Sequence, residues 1–194
     1  LGQVETDNSI TYGVPNNTIK KTNYSLVSKV KEDYPDYYII YKPHPDVEKG
    51  LRSLGKNEVL IKNIADSIAH KIAIQELFKI SDKVAVFTSL GGFEALLRKI
   101  PVICYGLPFY SGWGLTNDKF TNKEFLKRRK RKLTLEELVY IAIIYYPYYF
   151  SFKYNCNTEV EDIISEMDLY GYDKKTFEQI IFRYWGALKD FFKK

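Results

Sequence analysis

The sequence predicts a three-layer α/β domain, Rossmann-like, with a mostly parallel sheet. Short apolar runs read as buried parallel strands: VAVF from Val84 to Phe87, YYIIYK from Tyr37 to Lys42, and PVIC from Pro101 to Cys104, with helical periodicities between them. The first two runs pass into small or polar residues, TSLGG and PHPD. Ligands in open α/β sheets sit beyond the carboxyl ends of strands, where the strand order reverses, so these two turns suggest one crevice.

From its start, Gly2–Gly13 is a polar loop with no apolar strand ahead of it, and the first strand of the sheet is expected to be missing or to lie upstream. Gln3, Glu5 and Asp7 are its candidates for chemistry, because a carboxylate on a loop at a sheet edge can act as nucleophile or base. A solvated turn is the plainer alternative. Thr18–Asp33 reads as a helix with an apolar stripe of Ile19, Leu26, Val27 and Val30, ended by Pro35. The strand Tyr37–Lys42 leads to His44, held between two prolines that fix its backbone and so aim its side chain. Glu58–Lys62 reads as a short strand and His70–Ile80 as a helix, which leaves His70 a structural residue.

In the central stretch, Thr88 and Ser89 fall where an N-cap is wanted, and Gly91 and Gly92 let a ligand approach the backbone. The helix running on to Lys99 begins with unpaired N–H groups and a positive dipole end, so a phosphate is the first ligand to suspect. Glu94 either complements that helix end or bonds ribose hydroxyls. Beyond the strand Pro101–Cys104, the loop Leu107–Asp118 carries Phe109, Tyr110 and Trp113 among glycines, either stacking on a base or sugar or plugging space beside the sheet. Leu133–Tyr146 reads as a helix capped by Thr134 and stopped by Pro147. Residues 1–150 are expected to form the main domain. Residues 151–194 form a C-terminal helical segment, polar to Asn157 and then helical over Val160–Met167 and Thr176–Phe192. The broad apolar face of that last helix favours docking on the sheet or a neighbouring domain over a membrane interface.

A composition of 45% apolar and 27% charged residues is that of an ordinary globular chain, not a disordered one. The net charge of +5 favours an anionic partner only mildly, and its excess sits in KRRKRK, Lys127–Lys132, read by default as a solvated loop. Cys104 and Cys156 lie in unrelated contexts, which argues against a disulfide framework or a metal site. No signal peptide or transmembrane span is visible, so a cytoplasmic location is expected. The start at Leu1 without Met reads as a piece of a longer polypeptide.

Three stretches, GQVETDNSITYG (Gly2–Gly13), YKPHPDVEKGLR (Tyr41–Arg52) and TSLGGFEALLRKIPVICYGLPFYSGWGLTND (Thr88–Asp118), resemble the capsule polysaccharide biosynthesis family, in particular its KpsC-type β-Kdo transferases. The resemblance runs to about Tyr149 in the same order. It implies a GT-B glycosyltransferase using CMP-Kdo, with this chain as the nucleotide-binding half. Gln3 and Asp7 match a QxxxD element whose Asp lies at the reaction centre, and His44 matches an HP element facing the CMP phosphate and leaving group. The nucleotide-binding set implied is Lys42, Thr88, Ser89, Leu90, Gly91, Glu94, Tyr105 and Gly106. Gln3, Arg52 and Trp113 are implied to bind substrate. No metal and no cofactor beyond the donor are expected, and the matched motifs hold no cluster of metal ligands. Expected partners are the nucleotide sugar, a lipid-linked saccharide acceptor, the other GT-B half of the same polypeptide and a peripheral contact with the inner membrane face, but no nucleic acid. Two competing readings are a CMP-sialic acid-type transferase and a non-catalytic docking module in capsule assembly.

Overall fold

The computed structural model describes residues 1–16, 18–120, 123–151 and 153–170. They belong to two units, Leu1–Leu138 and a second beginning at Val139. The first unit holds five strands, all paired in parallel: β1 (Ile40–Tyr41) with β2 (Ser67–Ile68), and β3 (Val84–Val86), β4 (Val102–Cys104) and β5 (Asn117–Asp118) side by side in that order. The α/β class with parallel sheets is therefore the observed one. The chain's first residues run between the two sheets: the Leu1 nitrogen donates to Ala85 O at 2.8 Å and Gly2 N to Lys42 O at 2.8 Å.

The helices of this unit are α1 (Asn8–Gly13), α2 (Asn23–Asp33), α3 (Pro45–Glu48), α4 (Ile74–Phe78), α5 (Leu90–Leu97), α6 (Lys123–Arg128) and α7 (Leu135–Val139). α1 replaces part of the loop expected from the sequence. α2 starts five residues later than predicted, because Thr22 caps it by accepting from Ser25 N. The predicted strand at Glu58–Lys62 is instead a 3₁₀ helix, Glu58–Asn63, and the strand lies just after it as β2. Its apolar positions satisfy both periods over so short a run, and Asn57 enters it in the left-handed conformation at φ 63°.

α2 buries Leu26, Val27 and Val30. Leu26 and Val30 pack with Ile10, Val14, Phe87, Ile103 and Tyr105, so the core ties α1 and α2 to β3 and β4. Val27 packs instead with Tyr41 and Ile61. Burying each of these aliphatic or aromatic side chains stabilises the fold by about 2 kcal/mol. The effect is to hold the carboxyl ends of β1, β3 and β4 firmly beside one another.

In the second unit a π-helical turn, Tyr140–Tyr145, precedes an antiparallel hairpin of β6 (Tyr149–Ser151) and β7 (Cys156–Thr158), followed by α8 (Val160–Tyr170). A division at residue 150 would cut through β6, and Cys156 lies on a strand rather than in a polar loop. The helix predicted for Thr176–Phe192 lies outside the described residues. No helix among those described is long and apolar enough to cross a membrane.

Candidate functional site

The three motif stretches meet at the carboxyl ends of β1, β3 and β4, and the Gly2–Asp7 segment joins them. Gln3 is buried, and both ends of its amide are engaged by Thr88: Oε1 accepts from Thr88 N at 2.9 Å and Nε2 donates to Thr88 Oγ1 at 3.1 Å. Its backbone N–H donates to Asn23 Oδ1 at 3.0 Å, and Asn23 returns a bond to Gln3 O at 2.8 Å. The substrate-binding role expected of Gln3 is thus replaced by bracing of the Thr88 turn.

Glu5 and Asp7 separate cleanly. Glu5 accepts from Asn23 N at 2.7 Å and from Lys56 N at 2.8 Å, fixing the loop to two others. Nearby, Glu58 accepts from Tyr41 OH at 2.6 Å, Gly55 N at 2.7 Å and Asn23 Nδ2 at 3.2 Å. Asp7 is the N-cap residue of α1, but its carboxylate makes no capping bond and pairs with Arg52 instead. Both side chains of that pair are more than 40% exposed. Asp7 is therefore the acid of this loop that a ligand can reach.

The PHPD turn is built by His44, whose Nδ1 accepts from Asp46 N at 3.2 Å as the N-cap of α3, with Pro45 at the first helical position. A ring nitrogen that accepts leaves the proton on Nε2, which becomes the donor of the neutral imidazole. Asp46 O in turn accepts from Leu51 N at 2.8 Å and Arg52 N at 3.2 Å, which positions Arg52 near this turn. Lys42 departs from its expected role: it is buried and ion-paired with Glu48, not open to a phosphate. Glu48 also accepts from Lys71 N at 3.0 Å and bonds His70 Nδ1 at 3.1 Å. Burial opposes its charge, but Lys42, the Lys71 N–H and His70 together hold its carboxyl below the usual range.

At the start of α5, Ser89 is the N-cap and accepts from Gly91 N at 3.2 Å, while Gly92 N donates to Ser89 O at 3.0 Å. Thr88 N is taken by Gln3. The N–H groups of Ser89 and Leu90 have no partner among the described residues, and they are the donors a bound anion would meet. The glycines answer to the protein's own packing rather than to a ligand. A Cβ on Gly91 would stand 2.8 Å from Leu1 Cδ1 and 2.9 Å from Ile74 Cδ1, and one on Gly92 would stand 2.2 Å from the Tyr110 hydroxyl. That hydroxyl donates to Ser89 O and holds the turn from below. Glu94 is partly exposed one turn on, and its carboxylate has no hydrogen bond or ion pair among the described residues.

After β4, Tyr105 is fully buried and donates to Asp33 Oδ2 at 2.7 Å, so its side chain belongs to the core and not to a nucleotide site. Gly106 permits a close approach of backbones, since a Cβ there would stand 2.7 Å from Phe87 O and 3.0 Å from Gly13 O. The neighbouring loop resolves largely toward packing. Phe109 and Tyr110 lie against Phe93 with centroids 5.1 and 6.2 Å away, and the half-buried Trp113 donates its indole N–H to Phe109 O at 2.7 Å. Arg129, from the basic run expected to be solvated, lies over Phe125 at 3.7 Å and Trp113 at 5.2 Å. It donates to Pro108 O at 2.8 Å and to Ser111 O. Burial brings its guanidinium down to about 10, which still leaves it charged at neutral pH. The thiol of Cys104, pushed up to about 12 by burial and then by Asp118, is no nucleophile at neutral pH.

A sequence profile described as capsule polysaccharide biosynthesis protein matches residues 1–149. The chain belongs to that family. It is 46% identical over 148 residues to the capsule polysaccharide modification protein LipA of Neisseria meningitidis serogroup A, covering 76% of this chain and 20% of LipA. It is 38% identical over 169 residues to the lipopolysaccharide-processing protein LpsZ of Rhizobium meliloti, covering 87% of this chain and 37% of LpsZ. Among solved structures, the β-Kdo 2,7 transferase of Thermosulfurimonas dismutans KpsC superposes with a TM-score of 0.73 at 42% identity, over 86% of this chain and 50% of that one. The β-Kdo 2,4 transferase of the same KpsC gives 0.61 at 31% identity, over 73% and 43%. The chain thus spans about a fifth of LipA and about half of the first KpsC structure.

Proposed function

We propose that this chain is the nucleotide-binding half of a GT-B glycosyltransferase that binds CMP-Kdo and, with the other half of its polypeptide, transfers β-Kdo to a Kdo-bearing glycolipid in capsule biosynthesis. The observation carrying this reading is the pair of unpartnered N–H groups at Ser89 and Leu90, set beside His44 and the exposed Asp7–Arg52 pair at the carboxyl ends of parallel strands. The family and its Kdo-transferase neighbours supply the choice of sugar.

Kdo carries a carboxylate next to its anomeric carbon, so departure of CMP develops positive charge on the ring and negative charge on the phosphate. The α5 N–H groups and the His44 Nε2 proton meet the phosphate. Arg52 exchanges Asp7 for the donor carboxylate, which leaves Asp7 free to attack the anomeric carbon. Two such displacements, first by Asp7 and then by the acceptor hydroxyl, retain configuration. Glu94 bonds the ribose. Gln3, Lys42, Gly91, Tyr105 and Gly106 position these groups without touching the donor. The reaction belongs to the cytoplasm, at the inner face of the membrane that holds the lipid-linked acceptor. Because a GT-B site lies in the cleft between two halves, the 194 residues alone do not transfer sugar.

Calorimetry tests the donor. CMP and CMP-Kdo should bind more tightly than UMP or GMP. Equal affinity for UMP, or no CMP binding by folded protein, contradicts the reading.

A further inference from the structure

The sheets of the first unit stop short of each other along a trough. β1 uses one edge to pair with β2, through Ser67 N donating to Ile39 O at 3.2 Å and Ala69 N to Tyr41 O at 2.8 Å. β3 uses one edge to pair with β4, through Val84 N donating to Pro101 O at 2.9 Å and Tyr105 N to Val86 O at 2.8 Å. Residues alternate along a strand, so Ile40 and Lys42 on one side, and Lys83 and Ala85 on the other, turn their N–H and C=O groups into the trough. Two of those groups are already used by the chain's first residues: Ala85 O by Leu1 and Lys42 O by Gly2. The Ile40 and Lys83 carbonyls and the Lys42 and Ala85 N–H groups have no partner among the described residues. Between the edges lies a cavity of about 230 Å³, with Leu26 and Val30 of α2, Leu77 and Phe78 of α4, and Val84 and Ile103 in its wall.

We propose that this trough is the seat of a parallel β-strand formed by the residues that immediately precede Leu1 in the full-length protein. The bonds made by Leu1 and Gly2 are the last two rungs of such a strand and set its register. The residue before Leu1 donates to Ile40 O and accepts from Lys42 N. The residue before that donates to Lys83 O and accepts from Ala85 N. These rungs fill the four unpartnered backbone positions, which a buried sheet edge otherwise leaves at a cost. The apolar walls on both sides require a strand apolar on both faces, as a central parallel strand is. With it in place the two sheets become one. Numbered along the chain, its strands lie in the order 3-2-1-4-5-6, and the reversal falls between the added strand and β3, directly beneath Asp7 and Ser89.

Hydrogen exchange on the full-length protein tests this, read at single amides. The Lys42 and Ala85 amides should exchange at least about a hundredfold more slowly than exposed amides, as rungs of a central strand do. Replacing the two residues before Leu1 by proline should raise both rates at least about tenfold, and more than the rate at Ile103, by removing both donors and distorting the strand. The residues there should read as an apolar run. Fast exchange at both amides in the unaltered protein overturns the proposal. So does protection that appears only in a concentration-dependent dimer, which would seat a second copy, or protection unchanged in a folded proline variant, which would seat another segment. Should the proline variant fail to fold, the rates in the unaltered protein and the preceding sequence decide.

Discussion

Two ion pairs flank the PHPD turn, and their difference separates scaffold from reactive surface. Lys42 and Glu48 are buried, at 8% and 11% side-chain exposure, and Glu48 is further fixed by Lys71 N and His70. Arg52 and Asp7 are exposed at 49% and 42% and hold only each other at their side-chain termini. A buried pair cannot release one partner without stranding the other in a medium of low polarity. An exposed pair contributes little to stability and can trade a partner for a ligand charge. All four charges fall in motifs that match the family, so matching alone does not identify which charges meet substrate. Burial does.

The sharpest way to break the comparison is to neutralise one member of each pair. In the full-length protein, Asp7→Asn should leave stability within about 0.5 kcal/mol of the parent. It should keep CMP-Kdo binding and lower turnover roughly a thousandfold, about 4 kcal/mol of activation free energy. Urea unfolding and CMP release measure the two effects. Glu48→Gln should do the reverse in kind, costing about 3 kcal/mol of stability because Lys42 is left buried and unpaired. Replacing both, Lys42→Met with Glu48→Leu, should cost less than Glu48→Gln alone. A denaturation midpoint for Glu48→Gln equal to the parent's would refute the scaffold role.

The same pair sets a pH dependence. The folded-state carboxyl of Glu48 titrates below its unfolded value, so its contribution to stability is present above about pH 4.3. It is lost as pH falls through the depressed folded value. Urea midpoints measured downward from pH 6 should fall less steeply in the Lys42→Met, Glu48→Leu double variant than in the parent.

The parallel α/β class, the β3 and β4 strands and the Ser89 cap were legible in the sequence, because a continuous apolar run followed by a hydroxyl and glycines has few other readings. The roles of Gln3, Lys42 and Tyr105 were not. Each depends on a partner far along the chain or on burial: Thr88, Glu48 and Asp33 are fixed by tertiary contacts that no spacing encodes. Gly91 and Gly92 illustrate the same limit, since a glycine that admits a ligand and one that admits Leu1 or Tyr110 look alike in sequence. Asn23, Glu58 and Arg129 carried no local signal at all.

Smaller effects belong to the α5 start. Ser89 sits at φ −58°, which proline can adopt, so Ser89→Pro removes an N–H and the cap oxygen with little backbone distortion. CMP affinity should fall about tenfold in this variant and less in Ser89→Ala, which keeps the N–H. Binding equal to the parent in both would place the anion elsewhere. Smallest of all, EDTA should leave turnover of the full-length enzyme unchanged, since the N–H groups and His44 are assigned the phosphate; activity lost in EDTA and restored by magnesium or manganese would overturn that assignment.

Whether the exposed Asp7 is the reactive carboxylate can be read directly by intact-protein mass spectrometry of the full-length enzyme mixed with CMP-Kdo, followed by peptide mapping. The account predicts a Kdo-sized adduct on the peptide containing Asp7, absent in Asp7→Asn. An adduct on another residue, or near-parental turnover in Asp7→Asn, would contradict it.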